Sequence, residues 1–325
     1  MEVGLLKPPS RRRGLRRGWR RERMGAFEMN IMIAGGSGFL GQALTKSFLA
    51  DGHQVFILTR SSRTLHGAQA VQWDAKTTAG WGHLVNEMDV MIHLAGKTLA
   101  SWPWTAATKR AFHDSRIFPG LALAQSIQQA THRPGIFVQA SGINHYGLSG
   151  SLADESTPPA GDFLARLAVK WEDATKSIEE LGVRRVVIRS AVVLAKNGGL
   201  LFMMALPIKL FAGGPLGSGK QAMPWIHIHD WVGGVRHLIE NENARGAYNL
   251  IAPTPTSNAE FNRILANVIH RPYWFPTPAF LLRTLLGEMS VLILEGRFAQ
   301  PKRLTESGYR YQFPGPHEAL VDLLG

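Results

Sequence analysis

NIMIAGGSGFLG, residues 30–41, carries four apolar side chains straight into a cluster of four glycines, and an amphipathic helical pattern follows. That order is the entry to a dinucleotide-binding βαβ unit. A buried parallel strand delivers its carboxyl end to the ligand. The glycines permit a tight turn and let the backbone approach a pyrophosphate. The helix that follows points its unpaired N–H groups and the positive end of its dipole at the phosphates. Gly36, Gly38 and Gly41 fit G-x-G-x-x-G, while Gly35, Gly38 and Gly41 fit G-x-x-G-x-x-G. The glycines alone leave open an ordinary turn, so the flanks decide. Leu40, Ala43, Leu44 and Phe48 recur at helical spacing, Asp51-Gly52 supplies a stop, and QVFILT at 54–59 reads as the second parallel strand.

Composition narrows the classes. A length of 325 residues with 45% apolar side chains suits one large α/β domain, or a main domain with a smaller one. There is no cysteine, which excludes disulfides, thiolate zinc sites and a cysteine nucleophile. No stretch reads as a membrane span. The most apolar late segment, residues 278–296, contains Arg283, Glu288 and Glu295 and predicts an amphipathic helix pair. The net charge is +12, of which +7 belongs to residues 1–23. Residues 1–28 are therefore expected to be a basic, disordered extension. Three readings of it compete: a translation start at Met24 or Met29, an organelle-targeting peptide that is Arg-rich but has Ser10 as its one serine before Met24, or an arm for nucleic acid or a membrane surface. Nucleic-acid binding ranks last, because Trp19 is the only aromatic residue in the basic run. The expected location is cytoplasmic, or an organelle if the extension is a transit peptide.

Strands and helices alternate after Met29, as in a doubly wound parallel sheet of Rossmann type. VMIHLA at 90–95, IFVQAS at 136–141 and RVVIR at 185–189 read as buried strands, with helical patterns around 105–130 and 163–181. Residues 29–196 are expected to form the nucleotide-binding domain, with strand elements returning near 224–252. From about Asn197, glycine and proline clusters mark a smaller lobe, 197–325, placed to cover the ligand.

Taken together, GGSGFLG at 35–41, HLAG at 93–96, Tyr146-Gly147 after a strand, IRS at 188–190, GGPLGSG at 213–219 and PWIHIHD at 224–230 resemble an atypical, extended short-chain dehydrogenase/reductase. The subgroup it is most similar to is the epimerase-like proteins with an extra small C-terminal domain, some of which are labelled cell-division inhibitors. The resemblance implies NADP(H) on the first turn. Gly35, Ser37, Gly38, Phe39 and Leu40 would cradle the pyrophosphate, with Gly41 completing the motif. Leu94, Ala95 and Gly96 would line the adenosine ribose and the path to the nicotinamide. Asp74 would face the adenine amino group, unless it is a solvated turn carboxylate.

The end of the second strand separates NADP from NAD. An NAD site places an acid there for the ribose 2′-OH. This chain has Thr59-Arg60-Ser61-Ser62-Arg63, and no acid lies between Asp51 and Asp74. Arg60 and Arg63 would suit a 2′-phosphate; the alternative is that both are surface arginines beside a loop.

The catalytic pair of the resembled family, Tyr-x-x-x-Lys on one helix face with a nearby serine, is missing. No tyrosine here has lysine four residues on. Aligned through Glu172, the Tyr and Lys positions hold Leu164 and Ala168, and the serine position holds Gly142, beside Ser141. Substitutes after the fifth strand are Ser141, His145 and Tyr146; from the covering lobe they are Lys220, His227 and His229. Ser141, Tyr146 and Lys220 are the catalytic candidates. Tyr146 could instead pack under the cofactor, His227 could be a structural histidine, and Asp230 could cap the next helix. No metal site is expected, because His227 and His229 lack a third ligand at convincing spacing. The expected function is an NADP(H)-binding oxidoreductase or epimerase-like protein acting on a small carbonyl or sugar-like substrate, with oligomerisation left open. The rival is a catalytically degenerate NADP(H)-binding regulator linked to cell or organelle division.

Overall fold

The computed structural model describes residues 28–61, 67–196 and 198–325; the basic extension up to residue 27, Arg63 and Asn197 lie outside them. The opening stretch forms β1 (Asn30–Ala34), a turn, and α1 (Phe39–Ala50). β2 (Gln54–Thr59), β3 (Gln69–Gln72), β4 (Val90–His93), β5 (Ile136–Gly142), β6 (Arg184–Ser190) and, later in the chain, β9 (Gly246–Leu250) complete the main sheet. Its seven strands run in the order β3-β2-β1-β4-β5-β6-β9, and every pairing is parallel.

β1 lies between β2 and β4, with Ile33 opposite Ile57 on one side and Ile92 on the other. Alternate side chains feed opposite faces. Ile31 and Ile33 join Leu44 and Phe48 of α1 and Trp231, Val235 and Leu238 of α5 (Ile228–Glu240). Met32 and Ala34 join Trp81, Val85, Leu123 and Ile127, the last two from α2 (Ala106–Gln129). Cover on both faces explains why these strands read as continuous apolar runs. The chain leaves β1 for β2 on one side and later returns to β4 on the other. This reversal opens a crevice at the carboxyl ends of β1 and β4, the usual ligand position in such sheets.

The helical pattern expected over 163–181 is split into α3 (Phe163–Asp173) and a 3-10 turn, Lys176–Leu181. Thr175, between them, gives its hydroxyl proton to Gln139 and accepts from Arg185 Nε. β7 (Val192–Leu194) and β8 (Trp225–His227) pair in a separate two-stranded sheet. Around it α4 (Leu201–Lys209), α6 (Asn258–Val268) and α10 (Pro316–Leu324) share a second core of Leu201, Trp225, Phe261, Leu265 and Leu320. The expected amphipathic pair is α7 (Ala279–Leu286) and α8 (Val291–Leu294), joined by a 3-10 turn. Among the described residues no helix is long and apolar enough to cross a membrane.

Asp230 does not cap α5. His227 holds the N-cap, its Nδ1 accepting from His229 N at 3.1 Å. Asp230 turns inward instead and accepts from Gln312 N (2.8 Å), Phe313 N (2.8 Å) and Tyr309 OH (3.0 Å), pinning the C-terminal segment. The buried Phe313 N–H thereby gains the partner that its burial requires.

Candidate cofactor and active site

The turn after β1 is shaped by close approach. Gly35 has φ +86°, and a Cβ there would lie 2.7 Å from the Leu94 carbonyl carbon. A Cβ on Gly41 would lie 2.3 Å from Gly35 O, so α1 leaves tight against the turn. Gly38 is exposed, and a Cβ there would meet only Gly35 O, at 3.3 Å. Gly38 is also the N-cap of α1, which has no side-chain cap and no acid in its first turn. Helices usually place Ser, Thr, Asp or Asn there to satisfy the first N–H groups. Glycine leaves those donors for an anion, and the cradle fits a dinucleotide pyrophosphate. Ser37 is exposed, and its carbonyl accepts from Gln42 Nε2 at 2.8 Å. Leu40 is half-buried on the main core. The Phe39 ring lies against Gly198 and Gly199, bringing the loop before α4 onto the turn.

Arg60 stands exposed at the end of β2, with no acid beside it in the chain. Arg63 is outside the described residues. Asp74 is exposed and its carboxylate is engaged in its own turn: Oδ1 accepts from Lys76 N and Thr77 N, both at 2.8 Å, and Oδ2 from Thr77 Oγ1. Those hydrogen bonds from Thr77 and Lys76 hold its pKa below the usual carboxylate range.

Leu94 and Ala95 are half-buried and Gly96 is exposed at the end of β4. Beneath them His93 is fully buried. Ala95 N donates to its Nδ1 at 3.3 Å, Trp171 Nε1 approaches its Nε2 at 3.3 Å, and the Arg116 carbonyl lies 3.2 Å from Nε2. Burial pushes its pKa down to about 4.

At the end of β5 a polar cluster gathers on Glu172 of α3. Ser141 Oγ donates to Glu172 Oε1 at 2.7 Å; Arg189 Nε and Nη2 donate to the two carboxylate oxygens at 2.9 and 2.8 Å. Arg189 Nη1 donates to Tyr146 OH at 3.0 Å, and that hydroxyl donates to Asn249 Oδ1 at 2.7 Å. Burial opposes the Glu172 charge, but Arg189, the Ser141 hydroxyl and His145 outweigh it and hold its pKa low. Burial raises the Tyr146 pKa. His145 is buried with Nδ1 3.5 Å from Glu172 Oε1, too long for a hydrogen bond, and burial lowers its pKa.

The fold thus brings Ser141 and Tyr146 together through Glu172 and Arg189. Lys220 is not part of that cluster: it is exposed in the lobe, in a loop whose Gly219 carbonyl accepts from Ala259 N of α6. Leu164 and Ala168 are buried, with 3% and 5% exposure, so the face that would carry Tyr and Lys is apolar. His227 is buried and its Nε2 lies 3.2 Å from Asp322 Oδ2. Among the described residues no group of three or more His, Asp or Glu side chains could hold a metal.

Sequence reasoning used Glu172 only as an alignment marker and overlooked Arg116 and His93. Arg116 carried a readable signal. It follows Phe112 by four residues and precedes Leu123 by seven, on the apolar stripe of α2.

A family profile described as "NAD dependent epimerase/dehydratase family" matches residues 31–250, and one described as a domain of unknown function (DUF1731) matches 277–323. The chain is 38% identical to the epimerase family protein YfhF of Bacillus subtilis, across 91% of this chain and 98% of that protein. It is 36% identical to the Bos taurus epimerase family protein SDR39U1, across 91% and 100%. Among solved structures, human SDR39U1 (isoform 2), crystallised with NADPH, superimposes with a TM-score of 0.83 and 32% identity, covering 91% of this chain and 99% of that one.

Proposed function

This chain belongs to the NAD dependent epimerase/dehydratase family, and on that premise we propose that it binds NADP(H) and catalyses oxidoreduction or epimerisation of a small carbonyl or sugar-like molecule. The observation that carries this reading is the uncapped start of α1 above a glycine cradle, with Arg60 in place of the acid an NAD site would use. The related human protein crystallised with NADPH supports the same choice. Gly35, Ser37, Gly38, Phe39, Leu40 and Gly41 hold the pyrophosphate through backbone N–H groups. Arg60, with Arg63, takes the 2′-phosphate, and Leu94 to Gly96 guide the molecule toward β5. Asp74 faces the adenine, its carboxylate already fixed by the turn. When bound, NADP(H) supplies hydride transfer.

Ser141 and Tyr146 are the proton-donor candidates, and Lys220 supplies positive charge if the lobe closes on the site. In the network as it stands, Ser141 gives its proton to Glu172 and Tyr146 gives its proton to Asn249. One of those bonds must exchange before either hydroxyl can serve a substrate. That closed arrangement, with Leu164 and Ala168 at the family's Tyr and Lys positions, favours a second reading: a protein that binds NADP(H) without turnover and acts as a regulator.

A panel of carbonyl compounds tested for NADPH oxidation separates the two. On a confirmed substrate, Ser141→Ala or Tyr146→Phe should cost at least about tenfold in rate. If neither does, the donor assignment is wrong. NADPH binding with no oxidation by any panel member favours the regulator.

A further inference from the structure

Three arginines, Arg116, Arg185 and Arg189, are equally buried, with 6 or 7% exposure, yet their surroundings differ. Arg185 bonds to Thr175 Oγ1, Gln139 Oε1, Glu179 Oε1 and the Glu172 carbonyl. Arg189 has the Glu172 carboxylate and the Tyr146 hydroxyl. Arg116 has one hydrogen bond, from Nη1 to the Phe112 carbonyl of its own helix at 3.0 Å, and the Trp171 ring centre 4.8 Å from its Cζ. Among the described residues no ion pair reaches it, and its Nε and Nη2 have no protein partner. Burial lowers its pKa to about 10, so it remains a cation at neutral pH. Among the described residues neither nitrogen is sealed from solvent without a partner, so both donors open outward, where the oxygens of a bound ligand can take the place of water.

The position says what that is. The Arg116 guanidinium lies directly against Gly96, where a Cβ would be 3.2 Å from Cζ. Gly96 itself is exposed to the crevice. Gly35 of the turn packs on Leu94 and Ala95, so turn, β4 end and guanidinium form one continuous path. A dinucleotide with its pyrophosphate at the turn lays its adenosine half toward β2 and Arg60, and its other half toward β4 and β5. Arg116 lies on that second side. Trp171, over which it stacks, is three residues beyond Ala168, one turn along the same helix.

We propose that Arg116 binds the nicotinamide-side half of NADP(H), donating its free N–H groups to the ribose and phosphate oxygens of that half. The assignment rests on the NADP(H) reading above. Two probes separate the halves: NADPH, and adenosine 2′,5′-bisphosphate, which has the adenosine and 2′-phosphate but no nicotinamide side. Calorimetric titration of the full chain should show Arg116→Met binding NADPH at least about tenfold more weakly, with bisphosphate affinity unchanged. Arg116→Lys keeps the charge without the fork, and should show a smaller loss, again confined to NADPH. It carries the test if the methionine variant melts early. Unchanged NADPH affinity in both variants overturns the assignment, as does equal weakening of both probes, which marks a role in folding alone. Wild-type protein that binds neither probe overturns the cofactor reading itself, and this assignment with it.

Discussion

The turn between β1 and α1 and the junction between β5 and α3 lie at the same edge of one sheet, yet they treat polar groups in opposite ways. At the turn, backbone donors are left open: Gly38 caps α1 without a side chain, and no acid sits in the first helical turn. At the junction, Ser141, Glu172, Arg189, Tyr146 and Asn249 are linked in one chain of hydrogen bonds that runs on to the Gln300 carbonyl. The first region is built to receive a ligand's charge. The second stabilises the protein's own charges and offers little to a substrate without rearranging. The proposed cofactor binding and the proposed chemistry therefore rest on separate regions, and substitutions should affect them separately.

The largest effect is expected at the closed junction. Glu172→Ala strands the Arg189 guanidinium in the interior and should cost about 3–5 kcal/mol, read from urea unfolding. Replacing both partners, Glu172→Leu with Arg189→Met, should cost much less. A double-variant loss equal to the sum of the losses from Glu172→Leu and Arg189→Met alone would mean the pair is not coupled.

A pH effect on the order of 3 kcal/mol, from the lowered His93 pKa, is next. His93 has its pKa lowered to about 4, so the folded state holds it neutral while the unfolded chain takes up a proton near the ordinary value of 6.5. Stability is fully present above that ordinary value and falls as pH drops from about 6.5 to about 4. His93→Gln should flatten this slope; an unchanged slope would assign the acid sensitivity elsewhere.

The open turn gives a smaller and more selective effect. Gly41→Ala pushes a methyl into Gly35 O and should cost about 1–3 kcal/mol of stability along with nucleotide affinity. Gly38→Ala meets only one protein atom, at 3.3 Å. It should leave the melting temperature nearly unchanged while weakening NADPH about tenfold, because the added methyl occupies the ligand's side of the turn. Loss of stability without loss of affinity at Gly38 would erase the contrast between the two glycines.

The same contrast governs how much was legible in the sequence. The turn was readable because its chemistry is local: glycine spacing, an alternating strand and a helical pattern all fall within residues 30–50. QVFILT forms β2 with the expected bounds, and the strand expected at 136–141 gains only Gly142. The junction was hidden because its partners meet through strand pairing. Glu172 is 31 residues from Ser141 and Tyr146 is 103 from Asn249. A lone glutamate near the end of a helix reads as a solvated side chain until β5 and β6 are placed beneath it. The cap that the sequence left open for Asp230 fails for the same reason, since its backbone partners lie 82 and 83 residues away. Arg116 was passed over although its charge on the apolar stripe of α2 was a readable signal.

We assign the open turn, with Arg60 beside it, to NADP(H). Parallel titrations of the full chain with NADPH and NADH test it most directly. NADPH should bind at least about tenfold more tightly, and Arg60→Ala should narrow that gap by weakening NADPH alone. Superimposable curves for the two nucleotides, or a gap untouched by Arg60→Ala, would contradict it.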